Sequence, residues 1–462
     1  MIYDELKQYA SKNVLRMHMP GHKGKIPPGY YMGFDPSLDI TEITGFDNLH
    51  EASGIIKKSM EDASRLWHSR KSFYITGGST CGILSGIRAL TNRGDTVLCT
   101  RGCHMSVLHA IELCGLKVHF IMPDFIEEHG IISSVSPENV KKAISEFPDA
   151  SLIIITSPTY EGIISDMESI CSLAHENGIA VLADEAHGAH LDHFGVFKGG
   201  SVRAMADITV QSLHKTLPCP TQCAIIHVCG NLIDMERLSH QISVFETSSP
   251  SYLFLAAMDK FVHSDMENEF QAWGKSIDSF YSHINLKKLN ISGNFLESDK
   301  TVFKYDKSKI FISTKAADIS GFELFDILRD EYNIELEAAQ HCGALAMTGL
   351  WDSENDLLRL ADALEKIDNS VLFEEKKSLS FPFSKSEIIF DIESALAKDR
   401  KIVNAKNSAG KICGEYIWAY PPGIPILIPG ELITPETADY ISRKNTKLHS
   451  TFLHDQDEIA VL

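Results

Sequence analysis

The stretch at 211–223, QSLHKTLPCPTQC, closes the apolar run ITVQSL and sets Lys215 where a buried strand should be ending. An ammonium group in such a place costs desolvation free energy unless it snorkels to water, loses its proton or is occupied covalently as an imine. Working outward, short apolar runs alternate with helical patterns from about residue 70 to 230. The runs are SFYIT, DTVLCT, KVHFIM, SLIIIT, IAVLADEA, ITVQSL and CAIIHV. They are rich in Val and Ile and barely alternate, which predicts strands covered on both faces. TCGILSGIRAL, MSVLHAIELC and MESICSLAHENG read as helices between them, the last closing on Gly178. The whole pattern predicts an α/β fold with a mostly parallel sheet.

After Pro250, SYLFLAAMDKFVHSDMENEFQAWGKSIDSFYSHI predicts one long helix joining a large domain to a smaller one. From about residue 286 the elements shorten, with KIFIST, GFELFDILRDEYNI and NDLLRLADALEKI, and a further segment holds the proline-rich AYPPGIPILIPGE. The expected division is an N-terminal arm over 1–50, a large domain over 51–285 and an α+β C-terminal region over 286–462, whose first part ends near 370. The charged LFEEKKSLSFPFSKSE marks the boundary inside that region, unless its charges are only a solvated face.

At 462 residues and 44% hydrophobic content the chain can bury ample core without covalent staples. Lys and Arg total 43 against 62 Asp and Glu, a net charge of -19, which argues against a broad nucleic-acid or anionic-membrane surface. The ten cysteines form no CxxC pair, the N-terminus has no signal-like apolar core, and no apolar run reaches about 18 residues. These features predict a soluble cytoplasmic protein with reduced thiols.

ITGGSTCGI fits neither GxGxxG nor GxSxG, and GxxxxGK[ST] is absent. The spacing of His187, His190 and His193 matches zinc patterns only loosely. Three other features stand in a telling order. TGGST follows an expected strand and opens a helix, offering backbone N–H groups and the Ser79 and Thr80 hydroxyls to a phosphate; alone it would be a capped Gly-rich turn. VLADEAHGAH ends an apolar strand with Asp184, at the carboxyl edge where open α/β sheets bind ligands; alone, such an Asp caps a helix. Lys215 lies at the next such edge. Phosphate seat, acid and lysine are the anchors that pyridoxal 5'-phosphate requires, and His104 in RGCHMS could supply a ring to stack on it.

At these residues the chain resembles the bacterial ornithine/lysine/arginine decarboxylases of the fold type I, pyridoxal-phosphate-dependent class. The likeness runs through HMPGHK, DITE, DNLHEASGII, YITGGSTCGI, RGCHMS, TSPTYEG, DEAHGAH, SLHKTLPCPTQ, TSSPSYLFLAAMD and AYPPGIPILIPGE, nearly the whole chain. The resemblance implies an aspartate-aminotransferase-like large domain and decarboxylation of arginine, lysine or ornithine to the amine and CO2, as in polyamine biosynthesis. It implies that Lys215 carries the cofactor as an imine, Asp184 meets the pyridine nitrogen and His104 stacks on the ring. Ser79, Thr80, Ser212 and His214 would hold the phosphate, with His187 near the cofactor and Glu431 the candidate for the substrate's distal cation. It also implies a homodimer with shared sites, TSSPS approaching the partner's cofactor. Larger members carry an N-terminal wing domain used in decamers, whereas HMPGHK begins at residue 18 here, so a short form assembling as dimer or tetramer is expected. Glu161 and Cys219 depart from the commoner family wording, which leaves the substrate open. An aminotransferase or lyase on the same fold, a non-catalytic relative, and a metal hydrolase built on the three histidines are the rival readings.

Overall fold

A computed structural model of the chain describes residues 14–17, 46–374, 386–419, 423–443, 448–452 and 457–462. HMPGHK, DITE, most of LFEEKKSLSFPFSKSE and residues 420–422 of AYPPGIPILIPGE lie outside them.

Each of the seven apolar runs becomes a strand of one sheet: β1 (Lys71–Ile75), β2 (Thr96–Thr100), β3 (Lys117–Ile121), β4 (Ala150–Thr156), β5 (Ala180–Asp184), β6 (Ile208–Ser212) and β7 (Ala224–Val228). Their order is β1-β7-β6-β5-β4-β2-β3. Only β7 runs antiparallel to its neighbours, so the other six strands end along a common edge. Every residue of β2, β5, β6 and β7 is buried, which is the physical reason for sequences without alternation.

Helix α1 (Gly78–Leu90) lies so close to this sheet that a Cβ on Gly86 would stand 2.7 Å from Leu182 and one on Gly82 2.8 Å from Val210. The two glycines of TCGILSGI therefore let the helix seat directly on β5 and β6. Helices α2 (Met105–Cys114) and α3 (Met167–Glu176) match their expected positions, with Gly178 in the left-handed region just past α3.

The expected single spine is instead two helices, α5 (Tyr252–Val262) and α6 (Glu267–His283), with the one-turn helix α4 (Leu213–Thr216) preceding them in the chain. The intervening sequence offers the backbone other partners. Ser264 Oγ donates back to the Lys260 carbonyl, and Asp265 accepts the Glu267 amide at the start of α6.

Beyond the spine, β8 (Asn290–Ile291), β9 (Lys309–Ser313), β10 (Ala338–Gln340) and β11 (Gly343–Met347) form an antiparallel sheet in the order β8-β9-β11-β10. Helix α7 (Gly321–Tyr332) packs on it, and α8 (Glu354–Ser370) packs on α6. The last part of the chain has its own apolar cluster around Cys413, Ile417, Leu427 and Ile459, against which Met122 and Ile132 of the large domain pack. Among the described residues no helix is long and apolar enough to cross a membrane.

Candidate active site

Lys215 sits on the single turn α4, directly after β6, and the following residues explain how it is held. The chain reverses through Pro220, whose carbonyl accepts the Cys223 amide, and the Cys223 carbonyl then accepts from the Leu213 amide at 3.0 Å. His214 Nδ1 stands 3.0 Å from the same carbonyl. PCPTQC is thus the return that clamps the lysine turn to the start of β7.

The cavity at this sheet edge is lined by Ser79, His104, Asp184, His187 and Lys215, together with Thr156, Thr159, Tyr160 and Glu161 from the loop after β4. Asp184 is 3% exposed; Oδ1 accepts the Ala186 amide at 3.3 Å. Burial raises its pKa, and Lys215 and that amide oppose the rise. The next residue, Glu185, points to the other face of the strand, where it accepts from Gln211 Nε2 at 2.6 Å and from the Ser201 amide. One acid of the DE pair therefore serves the cavity and the other serves the interior.

Lys215 Nζ lies 2.7 Å from His187 Nε2. Burial pulls the lysine pKa down to about 8, Lys309 adds to the depression, and Asp184 and Glu337 resist it. His187 is held well below the usual histidine range by burial and then by Lys215 and Lys309, so its neutral ring accepts from the ammonium. Roughly a quarter of the amine is then neutral at pH 7.5, against about one part in a thousand at an ordinary lysine pKa. Capture of pyridoxal phosphate by the cofactor-free chain, followed by absorbance, is expected to rise with pH and level off with a midpoint near 8; a midpoint at the ordinary lysine value would contradict this environment.

His104 caps α2, Nδ1 meeting Ser106 Oγ at 2.8 Å; burial first, then Lys215 and His109, bring its pKa down to about 4. Its ring is neutral and faces the cavity. Ser212 Oγ donates to Ser79 Oγ at 2.9 Å, joining the ends of β6 and β1 at the start of α1.

The other expected phosphate contacts are placed differently. Thr80 is exposed, because successive helix residues are about 100° apart and only Ser79 turns inward. The Thr76 and Gly77 amides of TGGST donate to the buried Glu246 carboxylate at 2.7 and 3.0 Å, leaving the first turn of α1 as the anion-facing part. Glu431, the expected contact for the substrate's distal cation, is not among the residues lining the Lys215 cavity. Its buried carboxylate accepts from Arg101 at 3.0 Å, from the Ile428 amide at 3.0 Å and from Ser386, so it already has its cation. The three spaced histidines go to separate places: His187 to Lys215, His190 to Asp306 at 3.0 Å, and His193 into aromatic packing with Trp67 and Phe270. Among the described residues no group of three or more His, Cys, Asp or Glu is arranged to hold a metal ion.

Sequence reasoning missed Lys309, fully buried, whose Nζ donates to Asp306 at 2.9 Å and to the His187 carbonyl at 3.3 Å. Its only signal was a charged residue opening the apolar run KIFIST.

The donor set fits pyridoxal phosphate. Thr156 Oγ1 and His187 Nδ1 line the cavity, buried and without partners among the described residues, and Asp184 is a buried acid with one backbone donor. Residues 1–297 match the family profile described as "Orn/Lys/Arg decarboxylase, major domain", and residues 392–448 match the C-terminal domain of the same family. The chain belongs to the Orn/Lys/Arg decarboxylase family. This decarboxylase is 30% identical over 452 residues to the protein named "Arginine decarboxylase" of Bacillus subtilis, covering 95% of this chain and 92% of that one. It is 24% identical to the "Inducible lysine decarboxylase" of Escherichia coli, over 55% of this chain and 38% of the relative. The solved structure of lysine decarboxylase A from Pseudomonas aeruginosa has the same fold, with a TM-score of 0.74, 16% identity and coverage of 91% of this decarboxylase and 73% of that chain. Together with the sheet order, this likeness shows the fold, an α/β unit built on a mostly parallel sheet.

Proposed function

We propose that the protein decarboxylates a basic L-amino acid, arginine, lysine or ornithine, to agmatine, cadaverine or putrescine, using pyridoxal 5'-phosphate. The observation that carries the reading is the meeting of Lys215, Asp184 and His104 around one cavity, the three groups that lysine attachment, ring-nitrogen binding and ring stacking require. Arginine is the first substrate to test, because relatives that align over almost the whole chain are named arginine decarboxylases.

When bound, pyridoxal phosphate supplies the ring that accepts the electron pair left by departing CO2. Asp184 would face the ring nitrogen and favour its protonated form, and the low-dielectric setting strengthens that interaction. His104 would cover one ring face, and Ser79, Ser212 and the first turn of α1 would take the phosphate. Lys215 and His187 share a hydrogen bond, so the amine freed by substrate exchange has a neighbour with which to pass a proton to the substrate α-carbon. The functional unit under this reading is a cytoplasmic homodimer; the exposed run at 247–249, beside the Glu246-bound loop, is the edge offered to the second copy.

An assay of holoenzyme with each of the three amino acids, following CO2 and amine, is expected to show one clearly preferred substrate. A keto acid product without CO2 would make the protein an aminotransferase instead.

A further inference from the structure

A basic substrate carries a second cation, and the cavity has to meet it. Four charged side chains line the wall: Arg101, Lys215, Asp184 and Glu161. Arg101 is engaged by Glu431 and by the Ile426 carbonyl, and Asp184 and Lys215 are committed to the cofactor under the function proposed above. We infer that Glu161, on the loop after β4, is the residue that binds the substrate's distal guanidinium or ammonium and sets the preference for basic amino acids. The inference rests on the decarboxylase reading.

Three observations support it. First, the loop is placed beside the reacting amine by direct packing. The Tyr160 ring meets His187 edge-on at 4.9 Å, and His187 in turn reaches Lys215. Second, the loop is held rigidly. The Gly162 amide donates to the Thr159 carbonyl at 3.0 Å, the Asp306 amide donates to the Gly162 carbonyl at 2.8 Å, and Tyr160 Oη donates to Glu337 at 2.5 Å. Gly162 has φ +96°, and a Cβ there would stand 2.8 Å from Lys309, so the turn is fitted against the buried Lys309–Asp306 pair. Third, Glu161 has no cation of its own. Burial pushes its carboxyl up to about 7, opposed only by its own backbone amide and the Thr159 hydroxyl, and among the described residues no Lys, Arg or His pairs with it. A half-buried carboxylate without a counter-ion is the state that an arriving guanidinium or ammonium relieves, through a charge-assisted hydrogen bond.

The test is Glu161→Gln, which keeps shape and hydrogen-bonding capacity while removing the charge, with Glu161→Asp as the charge-retaining control. Holoenzyme is titrated with arginine, lysine and ornithine and with the uncharged analogues citrulline, norleucine and norvaline, following the visible absorption of the lysine-bound cofactor, and turnover is measured in parallel. Glu161→Gln is expected to weaken binding of the preferred basic amino acid and raise its KM roughly 10- to 100-fold, with kcat changed far less. Binding of the matching uncharged analogue should be unchanged, and Glu161→Asp should recover part of the loss.

In the wild type, KM should fall as pH rises through about 7 and the carboxyl ionises, a limb that Glu161→Gln abolishes. Arg101, His104, Asp184, His187 and Lys215 on the same wall, and Glu337, Asp306 and Lys309 behind the loop, are common to both proteins. Equal loss for charged and uncharged ligands, or an unchanged KM, overturns the assignment of Glu161. Absence of CO2 release from all three amino acids in the wild type overturns the decarboxylase reading, and this inference with it. Unaltered cofactor absorption in the variant shows that the site is still assembled.

Discussion

Lys215→Ala is expected to abolish turnover and, with it, the covalent lysine–cofactor bond that borohydride traps. The side chain has the environment such a role needs. It is the only lysine among the residues lining the cavity, its ammonium is destabilised by burial to a pKa of about 8, and the neutral His187 ring at 2.7 Å orients it by accepting its hydrogen bond. The variant should still bind pyridoxal phosphate weakly, because the groups facing the phosphate and ring are untouched. Mass spectrometry after borohydride treatment reads the outcome directly: cofactor mass on the peptide containing Lys215 in the wild type, none in the variant. Residual turnover, or label at another lysine such as Lys309, would remove Lys215 from the chemistry.

Asp184→Ala is expected to slow decarboxylation by roughly 10³-fold or more while leaving the fold intact, by analogy with the loss of one preorganised charge-stabilising group in a water-poor site. The same substitution removes a buried acid with a single backbone donor, so the cofactor-free protein should be unchanged or more stable by thermal unfolding. A loss of rate together with retained stability separates a role in the chemistry from a role in holding the core. Lys215 also loses the acid that holds its pKa up, so the midpoint for cofactor capture should move below about 8. Near-normal turnover would refute the role.

Much of this arrangement was legible along the chain. All seven core strands were readable, because residues buried on both faces leave unbroken apolar runs, and Asp184 and Lys215 stood out because charge at the end of such a run needs a reason. The break between α5 and α6 was not, since Ser264 and Asp265 also suit an exposed helix face and their bonds to Lys260 and Glu267 exist only once the turn forms. Glu431 shows the same limit. The family resemblance made it the candidate for the substrate's distal cation, but which cation a buried carboxylate meets depends on Arg101, 330 residues away. Glu161 and Lys309 gave little local signal for the corresponding reason.

Sequence alone determined the strand–helix succession and the edge at which Asp184 and Lys215 emerge, because these follow from short-range periodicity and from residue types that are costly to bury, and its motifs carried the resemblance to the family. Tertiary structure decided which charges find partners: Arg101 closes on Glu431, Lys309 on Asp306, and Glu161 is left facing the cavity. Electrostatic pairing is a matter of distance in space, and elements far apart along the chain set that distance only when they pack.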